Sequence, residues 1–358
     1  MTIPRRWPTR SRRTCKPVLT PSSRPYSLAG FPSPRWGAGP LCRADGRRAA
    51  MNYHFGRGWA RWMPFLLLLP GLAAYFVIAL GPSLATAVYS FTDASGLKGA
   101  PVRWVGFDNY QEFLFMGRAS VDNLNALGRT LVFCFFVTVI QFGLGLLVAV
   151  ILNQNLKGRN IFRTLYFMPV ILGAVIQGLI WSLFLYPLGG PLAKLLELFG
   201  MRSEFLGGQP AEAFAWVIVV QIWANMGTTM IIFLSGLQTI STEYYEAARI
   251  DGASPWQVFA NVTWPLLTPS VNTNLTLNII GSLQAWQLFL VLLGYRNGTQ
   301  VLGYLIYATG FGQTSGSVTS SFRQGYAAAA SIVLFLLVLV IGTVVQNILR
   351  RREARILG

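Results

Sequence analysis

Six apolar runs, each long enough to cross a bilayer and separated by polar stretches, constrain this chain more than any other feature. A spanning α-helix needs about 20 predominantly apolar residues. Only 11% of the 358 residues are charged, whereas a soluble domain carries about twice that share. The sequence therefore predicts an all-α integral membrane protein with six transmembrane helices, at 62–91, 129–153, 164–186, 213–239, 266–294 and 325–349.

The first 50 residues differ in composition from the rest. They hold eleven Lys and Arg against one acid, so they contribute most of the net charge of +17. Because they lack both periodicity and the apolar core of a signal peptide, they are predicted to be a disordered basic tail. We expect translation to begin at Met51, where a short cytoplasmic start precedes the first span. Nucleic-acid binding is not indicated, since it needs cations on a folded face.

Cysteine and histidine are too sparse for the chemistry that they usually support. Cys15, Cys42 and Cys134 are too scattered for a disulfide framework, and the single His54 cannot build a metal site. No phosphate-binding loop and no Ser/His/Asp or Cys/His set occurs. We predict that the chain is not an enzyme and has no catalytic residue, metal or cofactor of its own.

A polar island at 243–267 separates the fourth and fifth predicted spans. Residues 243–249 favour a helix, and Ser241 or Thr242 is available as its N-cap. Gly252 ends this helix, because glycine adopts positive φ at low cost. A second helix begins at Ser254 and Pro255, which suit an N-cap and a first helical position. The sequence therefore predicts two short helices joined at a glycine.

This island resembles the E-A-A-x-x-D-G-A signature of the membrane subunits of ATP-binding-cassette (ABC) importers, in which a hydrophobic helix and a proline follow. The matching residues are Glu246, Ala247, Ala248, Asp251, Gly252, Ala253 and Pro265. In that family the loop is a coupling helix that docks on a cytoplasmic ATPase. The resemblance implies that the first six of these residues couple to such an ATPase, which also binds the ATP. The alternative is a surface helix-turn-helix that only links two spans.

Two further stretches are similar to the sugar-importing branch of that family. They are V-G-F-D-N-Y at 105–110 and G-x-x-x-F-R-T-x-x-F-x-P at 158–169. The resemblance covers about residues 62 to 349 and implies the type I ABC importer permease (MetI-like) fold of the maltose or glycerol-3-phosphate type. It also implies a second permease subunit, with a heterodimer expected, and an extracytoplasmic solute-binding protein. The segment 292–311 departs from the family, because the usual Gly-Gly-Pro loop is missing.

The predicted layout has four parts. After the tail (1–50) come a cytoplasmic start with the first span and an outer segment (51–125), a five-helix core (126–350) that contains the coupling loop (240–265), and a cytoplasmic tail (351–358). The predicted inner loops are roughly twice as dense in Lys and Arg as the outer loops, which places both termini in the cytoplasm. We expect a multi-pass protein in the cytoplasmic membrane of a prokaryote, in contact with membrane lipid and without nucleic acid.

A solute path through lipid needs polar groups inside the helix bundle. A neutral sugar needs amides for its hydroxyls and aromatic faces for its C–H patches. The fifth span carries four suitable residues at spacing i, i+4, i+8 and i+12, on one helical face, and the third and fourth spans carry others. The candidates are Asn274, Asn278, Ser282, Trp286, Gln221, Asn225, Thr228, Gln177 and Trp181. The same residue types also bind helix to helix, so both interpretations stay open.

No acidic or basic residue lies inside predicted spans two to six away from their ends. Proton- and sodium-coupled carriers commonly need such groups, so a secondary transporter is the less favoured alternative. The sequence predicts a permease subunit that forms half of the path for a sugar or sugar-like solute and couples to an ATPase through 240–265. Another solute, such as glycerol 3-phosphate, is the alternative within the family.

Overall fold

The computed structural model describes residues 59–357 apart from 155, 202–203, 295, 297, 313, 316–317 and 320–321. The predicted tail at 1–50, the predicted start at Met51 and His54 all lie outside these described residues. The described part is helical, as the sequence predicts, with one short antiparallel pair of strands. Its strands are β1 (Thr314–Ser315) and β2 (Val318–Thr319).

The helices follow one another along the chain with short connections. The first eight are α1 (Trp59–Tyr75), α2 (Gly81–Tyr89), α3 (Asp108–Phe115), α4 (Gly117–Asn153), α5 (Arg159–Ile171), α6 (Ala174–Phe184), α7 (Pro191–Glu197) and α8 (Pro210–Thr239). The others are α9 (Thr242–Ile250), α10 (Pro255–Val258), α11 (Trp264–Leu266), α12 (Thr268–Leu283), α13 (Gln287–Leu292), α14 (Leu302–Phe311) and α15 (Gln324–Leu357). Two π-helical turns, Phe76–Leu80 and Phe259–Thr263, join α1 to α2 and α10 to α11.

Two predicted spans are not single straight helices. The third bends by 104° between α5 and α6, just after Pro169 inside α5, because proline weakens the local hydrogen-bond ladder. The fifth ends at Leu283, and residues 284–286 separate α12 from α13. Within the described part, four helical stretches can cross a membrane by length and composition, or five if the bent pair counts as one. The all-α class is confirmed, and the count of six stays a prediction.

Helices α4, α8 and α12 pack together and hold most of the core. One cluster contains Phe133 and Phe289, and a second contains Phe233 and Leu267, all of them buried. Helix α5 packs against α8 at Gly227, where an added Cβ would lie 2.8 Å from the Cα of Phe167. Small residues permit this kind of close helix contact in membranes.

The first predicted span packs differently from the others. In its most apolar 18-residue window, no residue is buried by the described part of the chain. Its outer surface carries large apolar side chains such as Leu67, Val77 and Ile78. This surface is therefore available to lipid or to another subunit.

An ion pair joins α3 to the segment before α15. Arg323 donates two hydrogen bonds to the Glu112 carboxylate, at 2.7 and 2.5 Å, and its guanidinium lies 4.5 Å from the ring centre of Tyr326. Asn123 Nδ2 donates to the Tyr326 hydroxyl at 2.6 Å. The hydrogen bond from Arg323 lowers the pKa of Glu112, although partial burial opposes it. The same bond raises the pKa of Arg323.

Candidate coupling loop and polar path

The loop after α8 folds into the two short helices that the sequence predicts. Ser241 is the N-cap of α9 and accepts a hydrogen bond from Glu243 N. Gly252, at φ +74°, ends that helix in the left-handed region. Ser254 and Gln257 then form a capping box that begins α10. These local predictions are confirmed, with Ser241 as the N-cap.

The surface of this loop combines apolar and acidic groups. Ile250 is 86% exposed and Trp256 is 74% exposed, although both belong to residue types that are usually covered. Glu246 and Asp251 are exposed beside them. Exposed apolar groups rimmed by charges are typical of a protein-binding surface.

The loop is continuous with the core. Beyond α10, the π-helical turn Phe259–Thr263 leads through α11 into α12. Thr263 Oγ1 lies 3.4 Å from the Tyr245 hydroxyl, which connects this turn back to α9. The turn before α12 is therefore joined to the loop both by the backbone and by this contact.

The polar residues of α12 contact α4 and α8. Asn278 Oδ1 accepts from Gln141 Nε2 at 2.9 Å and from Thr229 Oγ1 at 3.3 Å. Asn274 is buried and donates to the Thr229 carbonyl at 3.3 Å. Ser282 donates to the Asn278 carbonyl within its own helix, at 2.5 Å. Helix-to-helix bonding therefore engages Asn274 and Asn278, although one end of the Asn278 amide stays uncommitted.

The uncommitted end of this amide is Nδ2, which is buried and has no hydrogen-bond partner among the described residues. If the nitrogen and oxygen of both side-chain amides, Gln141 and Asn278, exchanged places, the Asn278 atom without a partner would be its oxygen instead of its nitrogen. Buried amides usually satisfy both ends. The three-helix contact thus holds Asn278 in place and leaves one polar atom for another group.

The sequence analysis did not single out Gln141, which is 3% exposed and donates to both Thr229 and Asn278. The available signal was an isolated glutamine inside the second apolar run. A single polar residue has no periodicity, so its partners become visible only when α4 packs against α8 and α12.

Trp286 does not lie on α12 and does not share a helical face with Asn274, Asn278 and Ser282, which corrects the sequence-based prediction. The helix ends at Leu283, and Trp286 has an extended φ of −147° before α13. Its ring stacks on Tyr307 of α14, with centroids 4.6 Å apart and planes 20° from parallel. The predicted spacing of i+12 assumed a helix that continues through 284–286.

The candidates on α8 lie at its less buried face. Gln221 and Asn225 are half-buried and Thr228 is exposed. Asn225 Nδ2 donates to the Gln221 carbonyl at 3.1 Å, within α8. These residues are one turn apart and share one face, beside the contact between Thr229 and α12. Gln221 and Asn225 are thus partly covered, and Thr228 is the most accessible of the three.

The two candidates on α6 have different surroundings. Gln177 is buried and donates to the Pro169 carbonyl at 2.8 Å, which stabilises the bend between α5 and α6. Trp181 packs edge-on against Trp223 of α8, with centroids 5.6 Å apart. Its indole nitrogen is buried without a partner among the described residues. Gln177 therefore holds the backbone, whereas Trp181 lies beside α8.

The described residues contain no group of three or more His, Cys, Asp or Glu that could hold a metal ion. The polar atoms of α8 and α12 are amides and hydroxyls, which bind neutral hydroxyl groups by hydrogen bonds. This arrangement can orient a neutral polar solute.

Residues 141–355 match the family model described as the binding-protein-dependent transport system inner membrane component. The chain is 31% identical to the probable ABC transporter permease protein YesP of Bacillus subtilis, covering 78% of this chain and 86% of YesP. It is also 31% identical to the multiple sugar-binding transport system permease protein MsmF of Streptococcus mutans, covering 81% and 93%.

A solved structure has the same fold. It is a chain of a bacterial alginate ABC transporter in complex with an alginate pentasaccharide-bound periplasmic protein. The superposition has a TM-score of 0.70 at 24% identity and covers 82% of this chain and 96% of the other.

Proposed function

Because this chain belongs to the binding-protein-dependent transport system inner membrane components and is the permease subunit of an ABC importer, we propose that it carries a carbohydrate. In this proposal the chain forms half of the path and is driven by a separate ATPase that docks on the loop 240–265. The observation that carries the coupling role is the exposed pair of short helices with Glu246 and Trp256 on its surface.

Energy reaches the path through continuous backbone. When the ATPase moves α9 and α10, the turn that holds Thr263 transmits the movement to α12. Helix α12 contains Asn278, which bonds to α4 and α8. A shift of α12 would break or re-form these hydrogen bonds, so the polar atoms offered to the solute change with the state of the ATPase.

The chemistry of the path favours a neutral sugar. Gln221, Asn225 and Asn278 provide amides, and Trp181 provides an aromatic face, which is the combination that sugars need. MsmF is a permease of a multiple sugar-binding transport system. A phosphorylated solute would instead favour a cation beside these amides.

The partners follow from the same reasoning. The uncovered apolar surface of the first span suits a second permease subunit or lipid. A solute-binding protein would deliver the cargo to the end opposite the coupling loop, with both termini and the loop in the cytoplasm. The alginate transporter that shares this fold was solved with a sugar-bound periplasmic protein.

Uptake of labelled oligosaccharides by the reconstituted importer tests the carbohydrate proposal. Asn278→Ala should raise the KM for uptake, because the path loses the amide whose Nδ2 has no partner among the described residues, while ATPase docking is unchanged. Ser235→Ala is a matched control, since the Ser235 hydroxyl donates to the Ile232 carbonyl within α8. Uptake of an amino acid or a phosphorylated solute, with no oligosaccharide transported, would contradict the proposal.

A further inference from the structure

A cavity of about 360 Å³ lies between α12 and α15, at the ends of these helices that are nearest the coupling loop. Leu277 and Leu349 form an apolar part of its wall, and Gln346 and Arg350 form a polar part. Leu277 is 52% exposed, so the cavity opens toward the surroundings of the helices. It therefore has an apolar side and a cationic side at one end of the predicted spans.

Glu353, the acidic residue that lines this cavity, already accepts a hydrogen bond. Asn272 Nδ2 of α12 donates to Glu353 Oε2 of α15 at 2.7 Å, which ties the two helices together. Arg350 lies one turn earlier on α15, and it forms no ion pair within the described part of the chain. Arg350 is exposed, so its guanidinium can reach an anionic partner that lies against the apolar wall, and a guanidinium binds phosphate oxygens through charge-assisted hydrogen bonds. The Glu353 carboxylate would limit that partner to a single anionic group on the Arg350 side.

A smaller cavity of about 170 Å³ lies on the other side of Asn272 and Leu349, and it also combines a cation with apolar side chains. Arg352 lines it together with Phe142 and Trp264. Tryptophan favours the boundary between hydrocarbon and headgroups. Both cavities thus place a guanidinium next to apolar side chains where a membrane surface is expected.

We propose that the larger cavity binds one anionic phospholipid. Its phosphate lies between the Arg350 guanidinium and the Gln346 amide, and the start of an acyl chain lies against Leu277 and Leu349. Basic pockets between transmembrane helices on the cytoplasmic side bind such headgroups. The apolar wall favours a lipid over free phosphate, because free phosphate has no apolar part that could contact Leu277 and Leu349.

This lipid would occupy the seam between α12, which follows the coupling loop, and α15. Among the described residues, the Asn272 to Glu353 hydrogen bond is the polar link across that part of the seam, so a bound lipid would add a second link through Gln346 and Arg350. The site is separate from the polar path, whose residues Asn274 and Asn278 face α4 and α8.

Native mass spectrometry of the full chain in neutral detergent, titrated with phosphatidylglycerol or phosphatidylcholine, tests this proposal. Arg350→Gln should weaken binding of the first phosphatidylglycerol about fivefold. Arg350→Lys should retain most of the affinity, because lysine also binds phosphate as a point charge. Arg351→Gln is the matched control, since it removes the same charge from the same helix outside the cavity. Phosphatidylcholine should bind weakly and equally to all variants.

Three results would overturn the proposal. Equal weakening by Arg350→Gln and Arg351→Gln would indicate diffuse attraction to the basic helix end. Displacement of phosphatidylglycerol by millimolar inorganic phosphate would indicate a free-anion site. Loss of the bound lipid when the second permease subunit assembles on the chain would indicate that protein covers this cavity.

Discussion

Replacing Gly227 by alanine tests the packing of α5 against α8. The new Cβ would lie 2.8 Å from the Cα of Phe167 and closer still to the carbonyl oxygen of Tyr166. Carbon atoms prefer separations of about 3.5–4.0 Å. The obstructing atoms belong to the backbone, so no side-chain rotation relieves the contact. Helices α5 and α8 must separate by about 1 Å.

The expected loss of stability follows from two opposing effects. Overpacking of this kind costs about 1–3 kcal/mol, whereas alanine in a helix is favoured over glycine by about 1 kcal/mol. Gly143→Ala on α4 is the matched control, because its Cβ would meet no atom within 4 Å. Gly143→Ala should therefore gain the helix propensity of alanine without the cost of overpacking. The free energy of unfolding should differ between the two variants by about 1–3 kcal/mol.

Thermal unfolding in one detergent, followed by fluorescence-detected size exclusion, measures this difference. At about 2–4 °C per kcal/mol, Gly227→Ala should lose its folded peak about 2–12 °C below Gly143→Ala. Equal unfolding temperatures would refute the reasoning, since they would mean that α5 does not approach α8 at this position.

Two further variants test polar contacts. Gln141→Leu should lower thermal stability, because Asn278 loses a partner worth about 1 kcal/mol in a membrane bundle; unchanged stability in a detergent melt would contradict this. The second variant, Glu112→Gln, tests the ion pair with Arg323 at acidic pH. Since Arg323 lowers the pKa of Glu112, the stabilisation is complete above the ordinary pKa of about 4.3 and is lost as the pH falls through the lower folded value. The wild type should therefore lose more stability than Glu112→Gln between about pH 5 and 3, and parallel pH profiles would count against the ion pair.

The loop was predictable because its signals are local. Ser241, Gly252 and Ser254 each favour their backbone conformation without help from distant residues. Hydropathy likewise located the apolar segments. These signals do not depend on the partner of each helix, so a single sequence contains them.

The path could be predicted only in part, because its geometry depends on packing. Hydropathy treats 266–294 as one run, whereas the helix stops before Trp286 so that its ring can stack on Tyr307. Gln177 is of a residue type that binds polar solutes, but its side-chain amide donates to the Pro169 carbonyl at the bend. Gln141 was overlooked because its two partners are on other helices.

The central claim, that the loop couples this permease to an ATPase, is tested most directly by solute-stimulated ATPase activity of the assembled importer. Glu246→Ala and Gly252→Pro should insert and assemble but lose the stimulation, because the first removes an exposed carboxylate and the second cannot adopt φ +74°. Glu243→Ala, on the same exposed helix outside the signature, should retain it. Wild-type stimulation in both Glu246→Ala and Gly252→Pro would contradict the coupling role of the loop.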